Sequence, residues 1–102
     1  LPDVKHVGGI LALKKISAMA EAANVLVAPH NPSGPVATAA SVQCMATGPN
    51  FAILEYAWGE TPWRASLTTP EERLDAGSAE IGSRAGLGIE LSAEAVSRAA
   101  SA

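Results

Sequence analysis

The chain has 102 residues, enough for one small domain and far short of the roughly 250 residues of a closed eight-stranded α/β barrel. Alanine accounts for 21 of its 49 apolar residues and only four residues are aromatic, so any core is built from small side chains. A net charge of −3 with no Lys/Arg run beyond Lys14-Lys15 excludes a nucleic-acid face, and no apolar stretch is long enough to span a membrane. Cys44 stands alone and cannot form an intramolecular disulfide, which fits a reducing, cytoplasmic setting. Leu1 to Gly9 lack the charged-then-apolar layout of a secretory signal, and the opening Leu1-Pro2-Asp3 in place of Met predicts an N-terminal truncation or processing.

In chain order, Leu1–Val7 is short, partly β-branched and stopped by Gly8-Gly9, which predicts a buried strand ending in a turn. Ile10–Ala23 predicts a helix, with Ile10, Leu13, Ile16, Ala20 and Ala23 on one stripe, Lys14, Ser17 and Glu21 on the opposite side, and Asn24 as its stop. Val25–Ala28 is a continuous apolar run of the kind that suits a strand covered on both faces. His30-Asn31-Pro32-Ser33-Gly34-Pro35 predicts a loop, with Pro35 opening a second helix that runs to Thr47 before Gly48-Pro49. Phe51–Tyr56 predicts a third strand, so residues 1–57 alternate as two βαβ units of a parallel sheet. Residues 58–102 break the alternation: a loop over Trp58–Arg64, a polar Gly-spaced stretch over Thr69–Ser83, a short strand at Leu87–Leu91, a two-turn helix capped by Ser92, and fraying over Ala99–Ala102.

In parallel α/β architectures the reacting groups sit at the C-terminal ends of strands. Three ionisable residues fall at or near such positions: Asp3 within or near the end of the first strand, His30 two residues after the second, and Glu55 closing the third. Neighbouring strands lie about 5 Å apart, which puts Asp3 and His30 within reach of a hydrogen bond that would fix the ring tautomer and leave the other nitrogen free to move a proton. Glu55 could donate or accept a hydrogen bond to a substrate oxygen if its proton affinity were raised. Plainer readings stand beside these: Asp3 as a surface residue near a ragged terminus, His30 as a turn residue before Asn31-Pro32, Glu55 as a salt-bridged structural carboxylate. His6 reads as packing by the Gly8-Gly9 turn, Cys44 as a small buried residue, and Glu71, Glu72 and Asp75 as a solvated face. The glycine pair lacks a full phosphate-loop pattern, and no His or Cys cluster has metal-ligand spacing.

Pro2-Asp3-Val4-Lys5-His6-Val7-Gly8-Gly9-Ile10, Ala28-Pro29-His30-Asn31-Pro32 with Gly34-Pro35, Ile53-Leu54-Glu55-Tyr56, and Gly86-Leu87-Gly88-Ile89-Glu90-Leu91 follow one another at family spacing. Together they resemble the last third of the mandelate racemase/muconate lactonizing enzyme-like subgroup of the enolase superfamily, and the His-Asn-Pro-x-Gly-Pro form resembles its acid-sugar dehydratases, such as galactonate or gluconate dehydratase-like enzymes. The resemblance implies an α/β fold: strands 6 to 8 of a (β/α)8-type barrel, with a tail returning to an α+β capping domain. It implies an Asp3–His30 dyad that moves the proton α to a carboxylate, His30 doubling as the acid for a departing hydroxyl in dehydratases, and Glu55 bonded to the substrate carboxylate. It also implies Mg²⁺ as the main electrostatic stabiliser of the enediolate, held in the parent enzyme by acidic ligands on strands 3 to 5, with a Lys base on strand 2. None of those strands is present, so this chain alone is expected to bind no Mg²⁺ at that site, carry no cofactor and catalyse nothing. An acid-sugar substrate is expected for the parent and homo-oligomerisation for the chain. A self-associating structural piece and a small α/β ligand-binding module remain the alternatives.

Overall fold

The computed structural model describes residues 1–101. Two helices form the centre. Gly8 and Gly9, at φ 103° and 97°, turn the chain out of the N-terminal segment, and the Leu13 N–H to Gly9 carbonyl bond starts α1 (Ile10–Ala22). The helix ends in a reciprocal cap in which Val25 N–H returns to Ala20 O and Asn24 N–H to Glu21 O, with Asn24 left-handed at φ 55°. Pro35, whose missing N–H costs nothing at a first helical position, opens α2 (Pro35–Met45). The two helices pack on each other, and Cys44 Sγ faces the Ile10 carbonyl at 3.8 Å.

The core is as thin as the composition implies: Val4, Leu13, Val27, Ala40, Cys44 and Met45 are buried, with Val7, Ala20, Ala37 and Leu87 packed against them. The α1 stripe is rotated from the expected one. Ser17 is buried while Ile10 is exposed. The Ser17 hydroxyl donates to the Leu13 carbonyl at 2.9 Å, so it is buried without an unmet hydrogen bond.

The expected three-stranded parallel sheet is not formed as a ladder. Only Leu1–Asp3 of the first segment is extended. Asp3 Oδ1 accepts the Lys5 N–H at 2.8 Å, an Asx-turn, and the chain curls through Val7. The second and third segments meet at one parallel bridge, Val27 to Phe51. Backbone bonds are sparse: Val27 N–H to Asn50 O, Ala52 N–H to Val27 O, Glu55 N–H to Pro29 O and His30 N–H to Pro2 O. Pro2 and Pro29 have no N–H to give to a ladder. The Val25–Ala28 run is also not covered on both faces, since Val25 and Leu26 are exposed, as is Ile53 on the third segment.

Beyond Trp58 the polar stretch carries more structure than expected. A 3₁₀ turn at Ala65–Leu67 leads to β1 (Thr68–Thr69). β2 (Leu74–Asp75) and β3 (Ser78–Ala79) form a hairpin, with Ala76 at φ 47° and Gly77 at φ 78°. β4 (Glu90–Leu91) pairs antiparallel with β1, Thr68 opposite Leu91. Ser92 Oγ accepts the Ala95 N–H at 3.4 Å and caps α3 (Ala93–Ala100), as its position predicts. The helix runs to Ala100, with Ser101 as its C-cap; of the residues expected to fray, Ala102 lies outside the described residues. The Cα radius of gyration, 14.3 Å, exceeds the roughly 13 Å of a tightly packed chain this long.

Candidate active site

The structure brings Asp3, His30 and Glu55 together. Asp3 closes the first extended segment, and His30 follows Pro29, which is fully buried and fixes the local backbone. His30 Nδ1 lies 3.1 Å from Asp3 Oδ2, and His30 Nε2 lies 3.7 Å from Glu55 Oε2. The ring is thus bracketed by two carboxylates. The first is a hydrogen bond; the second leaves Nε2 uncommitted.

Burial separates the two acids. Asp3 is only 5% exposed, whereas the His30 and Glu55 side chains are 43% and 49% exposed. The surface reading of Asp3 therefore fails. Burial by itself would raise the Asp3 pKa, but the Lys5 N–H, the His30 bond and the His6 and Lys5 charges outweigh it and hold the carboxyl below its ordinary range. An ionised Asp3 can only accept, so the neutral His30 ring carries its proton on Nδ1 and presents a lone pair at Nε2. The turn-residue reading of His30 leaves this bond unexplained. Glu55 incurs little burial cost at half exposure; its Oε2 accepts the Asn31 N–H at 2.9 Å.

His6 differs from its expectation. Its side chain is exposed rather than packed, and its Nδ1 lies 3.2 Å from Asp3 Oδ2. The curl of residues 4–7 carries it there. Gly9 gives its N–H to Val4 O, which commits that donor to the turn. Cys44 is buried and burial raises its thiol pKa, with Lys14 opposing, so it is kept from thiolate chemistry.

Glu72 departs from the solvated-face reading, while Glu71 and Asp75 are exposed as expected. Glu72 is 10% exposed and pairs with Arg64, itself 12% exposed, at 2.6 Å. The Tyr56 hydroxyl donates to Glu72 Oε2 at 2.6 Å, and the Arg64 guanidinium stacks over the Tyr56 ring at 4.5 Å. Burial and the Glu72 carboxylate push the Tyr56 pKa up, against the pull of Arg64. Asn31 is the other group the sequence reading passed over. It is fully buried and holds Glu55 twice, through its backbone N–H and through Nδ2 to the Glu55 carbonyl at 3.1 Å. An Asn between a candidate base and a proline was its only sequence signal.

Among the described residues, no group of three or more His, Cys, Asp or Glu side chains converges as a metal site. Both Asp3 oxygens and Glu55 Oε2 are committed to donors within the chain.

Residues 1–96 match the model of a family described as enolase C-terminal domain-like. The chain is 37% identical over 95 residues to D-xylonate dehydratase of Haloferax volcanii, a match covering 93% of this chain and 23% of that protein. It is 38% identical over 101 residues to D-galactonate dehydratase of Variovorax paradoxus (strain S110), covering 93% of this chain and 26% of that one. The mandelate racemase/muconate lactonizing enzyme-like protein from Rubrobacter xylanophilus superposes with a TM-score of 0.87 at 33% identity, over 96% of this chain and 25% of that one. The chain thus spans about a quarter of the length of the curated relatives it matches.

Proposed function

The chain belongs to the enolase C-terminal domain-like family, and from that premise we propose that it is the dyad-bearing part of a Mg²⁺-dependent enzyme that abstracts the proton α to a carboxylate, an acid-sugar dehydratase or racemase. The observation that carries the reading is the His30 ring, held at Nδ1 by a buried, ionised Asp3 and open at Nε2 on the side of Glu55. His30 Nε2 takes the α-proton, the C–H electron pair passes toward the substrate carboxylate, and Asp3 stabilises the imidazolium that results. Glu55, oriented by the Asn31 N–H, in its protonated form donates a hydrogen bond to the substrate carboxylate as charge builds on it. In the dehydratase case the imidazolium returns its proton to the departing hydroxyl as water.

In this reading residues 1–57 are strands 6 to 8 of a (β/α)8-type barrel, residues 58–102 return toward a capping domain, and the metal ligands lie outside this chain. The 102 residues alone then bind no Mg²⁺ at that site and turn over no substrate. Exposed Leu26 and Ile53 support association with a second copy when the rest of the barrel is missing. Two measurements test the proposal. Calorimetric titration of the chain with Mg²⁺ gives no stoichiometric heat; a specific one-to-one heat overturns the division of the site. In the intact gene product, His30→Asn abolishes exchange of the α-proton of galactonate or xylonate into D₂O, and normal exchange removes His30 from the role.

A further inference from the structure

Arg64 makes no hydrogen bond or ion pair with Asp3, His30 or Glu55, yet it is the hub of a dense polar network among the described residues. Nε donates to Glu72 Oε2 at 2.6 Å and to the Tyr56 hydroxyl oxygen at 3.1 Å. Nη2 donates to Glu72 Oε1 at 3.0 Å and to Thr38 Oγ1 at 2.9 Å, while Nη1 donates to the Ser33 carbonyl. Glu72 grips the guanidinium through both oxygens and fixes its plane; the remaining donors point at the His30–Pro35 loop and the first turn of α2.

The Thr38 hydroxyl is the relay. It has one proton and two acceptor positions. It donates to Gly34 O at 3.4 Å and accepts from Arg64 Nη2 and, at 2.8 Å, from Asn31 Nδ2. Every position is used, so its lone pair toward Asn31 is aimed by Arg64. Asn31 Nδ2 spends its other hydrogen on the Glu55 carbonyl, and the Asn31 N–H meets Glu55 Oε2. Thr38 and Asn31 are both buried, which protects this path from water.

We propose that Arg64, held by Glu72, is a positioning residue: through Thr38 and Asn31 it sets the Glu55 carboxylate and the backbone next to His30. The proposal rests on the assignment of Glu55 and His30 to the site, but its test needs no substrate. The bond given up is the one the Asn31 N–H makes to Glu55, so the readout is amide hydrogen exchange at Asn31, followed by NMR on the chain together with the Glu55 carboxyl ¹³C resonance. Arg64→Lys keeps the charge and loses the fork; Thr38→Val removes only the relay hydroxyl at similar volume. Each variant speeds Asn31 exchange by about tenfold and moves the Glu55 resonance, while the core amides of Leu13 and Val27 keep their protection. Thr38→Ser, which restores the hydroxyl, restores both readings. Unchanged Asn31 exchange in Thr38→Val overturns the proposal, as does equal acceleration at Leu13 and Val27, which marks a purely structural role. Should Arg64→Lys unfold the chain, Thr38→Val and Thr38→Ser still decide. Failure of the catalytic reading would instead appear as normal α-proton exchange in His30→Asn, with the Asn31 result unaffected.

Discussion

Replacing Glu72 by Ala separates two pictures of the residue by magnitude. If Glu72 belonged to a solvated acidic face, losing its pairing with Arg64 would cost about 0.2–1 kcal/mol, the range of exposed pairs. In the structure Glu72 and Arg64 are 10% and 12% exposed, and the carboxylate takes both Arg64 nitrogens and the Tyr56 hydroxyl. Removing one partner of such a pair strands a charge, at about 3–5 kcal/mol. Arg64 keeps Ser33 O, Thr38 Oγ1 and the Tyr56 oxygen, so the lower end applies: about 3 kcal/mol. Equilibrium urea unfolding followed by far-ultraviolet circular dichroism reports this as a midpoint lowered by about 1–3 M. The double variant Arg64→Met/Glu72→Leu removes the stranded charge and recovers most of the loss. A Glu72→Ala midpoint shift worth less than about 1 kcal/mol would refute the reasoning and return Glu72 to the solvent.

Two further outcomes follow from the core and the dyad. Leu13 is the largest fully buried side chain, and Leu13→Ala lowers stability by about 3 kcal/mol in the same urea assay; a loss under about 1 kcal/mol would mean that the helix pair is not the core. The folded Asp3 pKa lies below the ordinary 3.8, so its stabilising contribution is fully present above that value and is lost as the pH falls through the lower folded value. Stability measured across that window falls less steeply in Asp3→Asn than in the parent chain, and identical slopes contradict the assigned environment.

Helix positions were legible because punctuation and period agreed: Gly9 before α1, Asn24 after it, Pro35 at the start of α2. Which face of α1 turns inward was not. Ser17 reads as polar by type, but its hydroxyl is satisfied inside its own helix, and this removes the penalty that period counting assumes. The first strand was misjudged because β-branched content around Val4 and Val7 outweighed the local pull of Asp3 on the Lys5 N–H. The β2–β3 hairpin escaped notice because each strand has only two residues and Ala76, which disfavours positive φ, occupies a turn position. The members of the candidate site were readable from their places on the three segments: Glu55 closes an apolar run, His30 follows one by two residues, and Asp3 lies within the first. Arg64, Glu72, Thr38 and Asn31 were not, since their meeting depends on loop paths that no period encodes.

The sparse pairing of the three segments makes register the decisive variable for the site. A slip of one residue along an extended segment would turn His30 or Glu55 to the opposite face. A full ladder would resist such a slip with many bonds, but here His30 N–H to Pro2 O and Glu55 N–H to Pro29 O are the main-chain links at the site. Both acceptors are proline carbonyls, and each ring fixes φ on the N-terminal side of its link. Asp3 follows one and His30 follows the other, so each link sets the next site residue in line. Side chains supply what the ladder does not: Asp3 to His30, and Asn31 to both ends of Glu55. Exposed Leu26 and Ile53 lie on the same two segments as His30 and Glu55. Covering that apolar face therefore stabilises the register on which the site depends, which couples whatever packs there to the geometry of His30 and Glu55.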